Sequence, residues 1–318
     1  MTNLIQLIDQ QTGAKATILP DLGFNCFQFT AVIDGQPVEV LDAPADFALG
    51  TAKPSSGGIP ILFPFPNRIR SGHFCWAGQD YQLPLNSQGK NAIHGFVYDR
   101  PWRVTAQGND FVTGEFQLSV DAPDRMSLWP GDFLLCVDYE LIHNRLRANF
   151  RITNVGSKPI PWGLGTHPYF RLPLSAQGRW EDCVIELPVT QQFELVESLP
   201  TGKIDAIQNE LDFQSGEYVS TLKLDDIFTS LDYDGPQFDM TLIDEAAGLQ
   251  VVQTCPPIFR DVVVYTPAGR PSICIEPYTC PTDAINLESQ GLSAGLRVLA
   301  PDAEFHTWVD ISVSKVIA

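Results

Sequence analysis

Leu146-Arg147-Ala148-Asn149-Phe150-Arg151-Ile152 is the stretch that decides the fold. Apolar residues at 146, 148, 150 and 152 alternate with two arginines and an asparagine. That is the period of a strand with one face on a core and the other in water. The same period returns in Phe116, Leu118 and Val120, spaced by Gln117 and Ser119. It returns again near the far end, where Phe305, Thr307, Val309, Ile311 and Val313 share one face. Turn signals such as Asp34-Gly35, Gly78-Gln79-Asp80 and Val155-Gly156-Ser157 separate these stretches. No stripe of helical spacing competes, and 24 glycines and 25 prolines leave a long helix few places to start. The expected fold is all-β, a large antiparallel β-sandwich. Residues 1–318 are expected to form a single domain, because no Ser/Gly/Pro linker or charge block divides them.

Composition narrows the function. Hydrophobic residues make up 44% and charged residues 18% of the chain, which suits a folded core, and no apolar run is long enough to span a bilayer. The start, Met1-Thr2-Asn3-Leu4-Ile5-Gln6, lacks the basic-then-apolar order of a secretory signal, so the expected location is cytoplasmic. Seven cysteines are scattered without a Cys-x-x-Cys pair, which favours free thiols over a disulfide framework or a zinc site. With 20 Lys+Arg against 38 Asp+Glu, the net charge of -18 repels nucleic acid and anionic membranes. A small molecule is the expected partner.

Three strings carry the chemistry. His94 sits in Asn91-Ala92-Ile93-His94-Gly95-Phe96, and His167 in Gly165-Thr166-His167-Pro168-Tyr169-Phe170. Glu276 lies in Cys274-Ile275-Glu276-Pro277-Tyr278-Thr279, a lone carboxylate after an apolar run. Two imidazoles and one carboxylate among Gly, Pro and aromatics suit proton transfer in a pocket that partly excludes water. Burial would raise the carboxyl pKa and strengthen it as a base while ionised. The plainer alternatives are histidines satisfied within the core and a glutamate in a buried ion pair. His73, His143 and His306 are expected to be such satisfied, partly buried residues. A fourth string, Gly57 to Ile69, is apolar and broken by prolines until Asn67 and Arg68. Those prolines argue against a central ladder strand and for a rigid loop. The loop would hold an amide and a guanidinium suited to hydroxyls or carboxylates, or an arginine that pins backbone carbonyls.

In order, these strings resemble the aldose 1-epimerase (galactose mutarotase) family. The resemblance is carried by Asn67-Arg68-Ile69 with Gly72-His73-Phe74 and Gly78-Gln79-Asp80-Tyr81-Gln82-Leu83, then His94-Gly95, His167-Pro168-Tyr169-Phe170 and Glu276-Pro277. It implies a β-supersandwich with an open sugar cleft; no metal or organic cofactor is expected, because ring opening needs only proton transfer and the chain shows no ligand cluster of persuasive spacing. Glu276 matches the base that takes the anomeric hydroxyl proton, and His167 the acid that protonates the ring oxygen. His94 and Arg68 match sugar contacts, with His94 a possible second acid. Asn67 falls beside them, and Asp225 matches a carboxylate that binds sugar hydroxyls, with Asp226 one residue away as the alternative register. Ring opening needs a base and an acid acting together, expected on opposite sides of one acetal-like centre. Phe96, Tyr169, Phe170 and Trp162 could stack on a sugar or pack the core.

A branch of this fold that acts on hexose 6-phosphates tends to place an arginine just before its Gly-Gly-Ile-Pro string, where this chain has Ser56. A free aldohexose is therefore expected, although Arg68, Arg70 or Arg100 could serve a phosphate. Three other readings compete. A glycoside hydrolase would use Glu276 with Asp225 or Asp226, but it leaves the histidine strings without a purpose. A sugar sensor would bind without turnover. A metal site of His94, His167 and Glu276 lacks close ligand spacing.

Overall fold

In the computed structural model, residues 3–316 apart from 177 and 209–210 are described. The stretch at 146–152 lies in the strand Arg145–Asn154, whose side chains alternate between buried and half-buried along its whole length. It pairs with Phe133–Ile142 on one side and Glu304–Lys315 on the other. These strands are the centre of a nine-stranded antiparallel sheet that runs from Arg103–Gln107 at one edge to Glu217–Tyr218 at the other. Thr307, Val309, Ile311 and Val313 are buried on one face of the terminal strand, as their spacing predicts.

An eight-stranded sheet packs against this one. Its path runs Leu199–Ala206, Val189–Val196, Asp225–Leu231, Asp261–Tyr265, Ser272–Tyr278, Gly165–Thr166 and Ile61–Leu62, with Tyr169–Arg171 also paired to Ser272–Tyr278. One hydrophobic cluster joins the sheets and takes in residues from Ile5 to Val313. Within it the Phe63 and Phe133 rings meet edge to face, with centroids 4.7 Å apart. Each fully buried side chain of this size contributes roughly 1.5–3 kcal/mol. The α-helices among the described residues are the short Leu118–Asp121 and Ala284–Ser289, and no helix is long and apolar enough to cross a membrane.

The strand expected through Val120 ends early. Phe111–Gln117 is extended, but Leu118–Asp121 turns into a helix and leaves Val120 exposed. Two carboxylates explain the break. Asp121 accepts from the Gln117 backbone N–H at 2.7 Å, and Asp132 accepts from the Ser119 N–H at 2.9 Å and its hydroxyl at 2.6 Å. Those donors are thus removed from any ladder. The Asp34-Gly35 turn joins Asn25–Ile33 to Gln36–Glu39 with φ of 51° and 73°, the mirror-image turn that matches strand twist. At 73–82 the turn is Ala77-Gly78, and Gln79 and Asp80 already belong to the returning strand.

Candidate active site

Period two builds the floor of the site. Along Ser272–Tyr278, Ile273 and Ile275 join the shared core, so Cys274, Glu276 and Tyr278 point to the opposite face. Glu276 is 1% exposed. His167 stands beside it on the turn between Gly165–Thr166 and Tyr169–Arg171, held by its N–H donating to the Pro60 carbonyl at 3.0 Å. The two side chains meet with Nε2 and Oε1 3.2 Å apart. They lie side by side, which replaces the expected placement on opposite sides of a reacting centre.

The proline-rich loop supplies one wall. Pro60 and Pro64 bracket a strand of only two residues, Ile61–Leu62, at the end of the eight-stranded sheet. Arg68–Ile69 then pairs with Ala92–Ile93, and this register sets Arg68 beside the His94 turn. His94 adopts φ +69° and donates its N–H to the Asn67 carbonyl at 2.8 Å. Gly95 must follow: its φ is +73°, and a Cβ there would meet the Phe63 carbonyl oxygen at 2.1 Å. Asn67 Oδ1 accepts from Arg68 Nη1 at 2.9 Å, and Arg68 Nη2 lies 3.7 Å from Asp225 Oδ2. The six residues singled out in the sequence, Asn67, Arg68, His94, His167, Asp225 and Glu276, all line one cleft of about 350 Å³. That is within the usual range for small-molecule sites.

Burial sets the proton equilibria. It raises the Glu276 carboxyl well above the usual range, and Asp225 adds to this while a hydrogen bond from Tyr278 and the Arg68 charge oppose it. It pushes the His167 imidazole down to about 3. His94 also falls well below its ordinary value, through burial first and then the positive field of His167, Arg68 and Lys53. Burial therefore favours a neutral pair, with the proton on Glu276 and none on His167. Ring packing fixes both imidazoles: His167 stacks on Tyr169 at 4.8 Å and meets His94 edge-on at 5.6 Å.

Several expectations need correction. Arg70 and Arg100 do not line the cleft; Arg70 contacts Asp283 and the Pro200 carbonyl, and Arg100 pairs with Asp124. His73, His143 and His306 are exposed rather than partly buried, each near a surface polar partner. Of the four aromatics, Tyr169 lines the cleft, while Phe96, Phe170 and Trp162 belong to the core. Sequence reasoning also passed over Tyr278, although it lies two residues after Glu276 on the same face. Lys53 lines the cleft with no salt bridge among the described residues, and nothing in its sequence context marks it. Arg270 fills the space near Ser56, donating to the Ser56 carbonyl, pairing with Asp42 and lying over the Tyr169 ring at 4.9 Å.

The family model described as aldose 1-epimerase matches residues 35–312, nearly the whole of this architecture. The chain belongs to the aldose 1-epimerase family. Among its relatives, the uncharacterized protein YihR of Escherichia coli is 28% identical over 71% of each chain. Human galactose mutarotase is 30% identical over 45% of this chain and 40% of its own. A galactose mutarotase-like protein from Clostridium acetobutylicum shares the fold, with a TM-score of 0.86 over 99% of both chains at 22% identity. The aldose 1-epimerase family acts on small sugars.

Proposed function

We propose that this protein interconverts the α and β anomers of a free aldohexose, with Glu276 as base and His167 as acid. The observation that carries this reading is the 3.2 Å contact between the two groups at the buried floor of a polar cleft. The anomeric oxygen and the ring oxygen are bonded to the same carbon, so a base and an acid that serve both must be neighbours. In the productive form Glu276 is ionised and His167 protonated. Glu276 removes the anomeric hydroxyl proton as the Nε2 proton of His167 passes to the ring oxygen, and the bond from C1 to that oxygen breaks. Rotation about the C1–C2 bond turns the aldehyde, and the same transfers run backward to close the ring on either face. After opening, Glu276 holds a proton and His167 none. That is the neutral state favoured by burial, so the same desolvation that disfavours the starting ion pair stabilises the protonation state of the open-chain intermediate. Arg68, Asn67, Asp225 and His94 hold sugar hydroxyls in this scheme, and the Tyr278 hydroxyl orients the carboxylate by donating to Oε2. The chemistry needs only proton transfer, and no cofactor takes part in it.

A hexose 6-phosphate is the second reading, favoured by Lys53 and Arg68 in the same cleft. Against it stand Ser56 and the net charge of -18, which offers an anion no general attraction. Polarimetry with pure anomers of glucose, galactose and glucose 6-phosphate, at low and raised salt, decides between them. Faster equilibration of a free hexose is expected. A marked preference for the phosphate that salt or Arg68→Gln weakens moves the protein to the phosphosugar reading. Binding of every sugar without turnover leaves a sensor.

A further inference from the structure

Cys274 precedes Glu276 by two residues on one strand, so its thiol lies on the cleft side of the sheet, and the proposed reaction has no use for it. Its sulfur, a nitrogen of His167 and a carboxylate oxygen of Glu276 all lie within 4.8 Å of one another, and all three residues are buried. His167 Nε2 and Glu276 Oε1, 3.2 Å apart, already span about one edge of a tetrahedron with metal–ligand bonds of about 2.0–2.2 Å. His167 and Glu276 line the open cleft, while Cys274 is fully buried. Three protein ligands, two of them facing the cleft, match the donor set of a three-ligand zinc centre whose fourth position would be filled from the cleft.

We propose that the floor of the cleft is an inhibitory site for a soft divalent cation, zinc foremost, held by His167, Glu276 and Cys274. A water or sugar hydroxyl from the cleft completes the shell. The ion displaces the one proton shared by His167 and Glu276 and a second from the thiol, so two protons leave as one ion enters. A dication with one carboxylate, one thiolate and one neutral imidazole is a neutral centre, which suits a buried floor. Mixed nitrogen, oxygen and sulfur donors select against magnesium and calcium, which take oxygen shells. With the ion bound, neither the base nor the acid is free, so turnover stops. The inhibition rests on the function proposed above; the binding does not.

The test uses metal-stripped protein, cobalt(II) as a spectroscopic probe and zinc as the inhibitor. Cobalt should produce a thiolate-to-metal charge-transfer absorption in the wild type that is lost in both Cys274→Ser and Cys274→Ala. Polarimetry should show zinc inhibition that a chelator reverses. Both variants should keep their metal-free rate and need at least about tenfold more zinc, since even an outer-shell partner is worth 10- to 100-fold in metal affinity. An unchanged cobalt spectrum in the variants, or equal zinc sensitivity, overturns the proposal. If the Cys274-dependent absorption appears and no sugar is turned over, the metal site stands and the enzymatic reading fails. Turnover without that absorption means the reverse: the enzyme stands and the metal site fails.

Discussion

The two large sheets share one core and treat their other faces differently. In the nine-stranded sheet, Arg145–Asn154 sends Arg147, Asn149 and Arg151 outward to half-buried positions, and Arg147 there pairs with Asp310. In the eight-stranded sheet, Ser272–Tyr278 is buried at every position, yet its outer face carries a carboxylate, a thiol and a phenol. The first face meets water along most of its length, and where it buries a charge, at Asp310, Arg147 pairs it. The second is covered by the loops that bear Arg68, His94 and His167, and its polar groups must be paired or neutralised. The proposed chemistry resides where polar groups are buried on the face away from the core.

Substitutions should separate the two faces. The largest effect is expected at Glu276→Gln, which keeps size and hydrogen bonding but cannot take a proton. Anomer interconversion should fall by about 10²- to 10⁴-fold while sugar binding survives. Stability should not fall at neutral pH. The folded chain holds the Glu276 proton more tightly than the unfolded one, so the stability this group contributes is lost as pH rises from the ordinary carboxylate range through its raised folded value. Turnover near wild type in polarimetry would remove Glu276 from the mechanism. Phe150→Ala should show the converse, with about 3–5 kcal/mol lost in denaturant unfolding and turnover per folded molecule little changed. An equal catalytic loss there would dissolve the contrast between the sheets.

His167→Asn should damage turnover within the same 10²- to 10⁴-fold range, and His94→Asn less, since only the first contacts Glu276. Wild-type rates in both variants would send the search for the acid elsewhere. The pH profile of kcat/KM should be a broad bell whose limbs belong to the pair. Lowering pH adds a second proton and removes the base, which burial resists by holding His167 down at about 3. Raising pH strips the last proton and removes the acid, which burial resists by holding Glu276 up. A narrow bell, or one unaltered in Glu276→Gln, contradicts this assignment. The smallest effect is expected at Gly95→Ala, where the positive φ and the Phe63 carbonyl cost about 1–3 kcal/mol of stability. Turnover should fall alongside, because His94 is the adjoining residue; unchanged unfolding would show that the turn can yield.

What the sequence makes legible follows the same division. Alternation reports a face in water, so Arg145–Asn154 and Glu304–Lys315 can be read directly. It misleads at Val120, because the carboxylate of Asp132 lies well along the chain from the N–H of Ser119 that it captures. Asn67, Arg68, His94, His167 and Glu276 stand out through Gly, Pro and aromatic neighbours, which aim a side chain by restricting the backbone, whereas Asp225 has none and is legible only through the family resemblance. Lys53 does precede Pro54, but a lone lysine before a proline is the ordinary mark of a solvated loop, and its place in the cleft comes from the tertiary path of that loop. Cys274 is legible only with the strand period in hand, since beside Ile273 and Ile275 it reads as another core residue.

The single seven-residue strand that carries both Ile275 and Glu276 bears on how the chain tolerates insertions and deletions. Core and cleft faces alternate at every step, so a shift of one residue would carry Glu276 into the sandwich interior and Ile275 into the cleft. A length change in the exposed turn at 268–269 can be absorbed by the turn itself. Within 272–278 the same change exchanges an isoleucine for a charge in a sealed interior, so a misaligned chain is also an unstable one. Errors in the placement of the proposed base are thereby eliminated at folding, before any sugar is met.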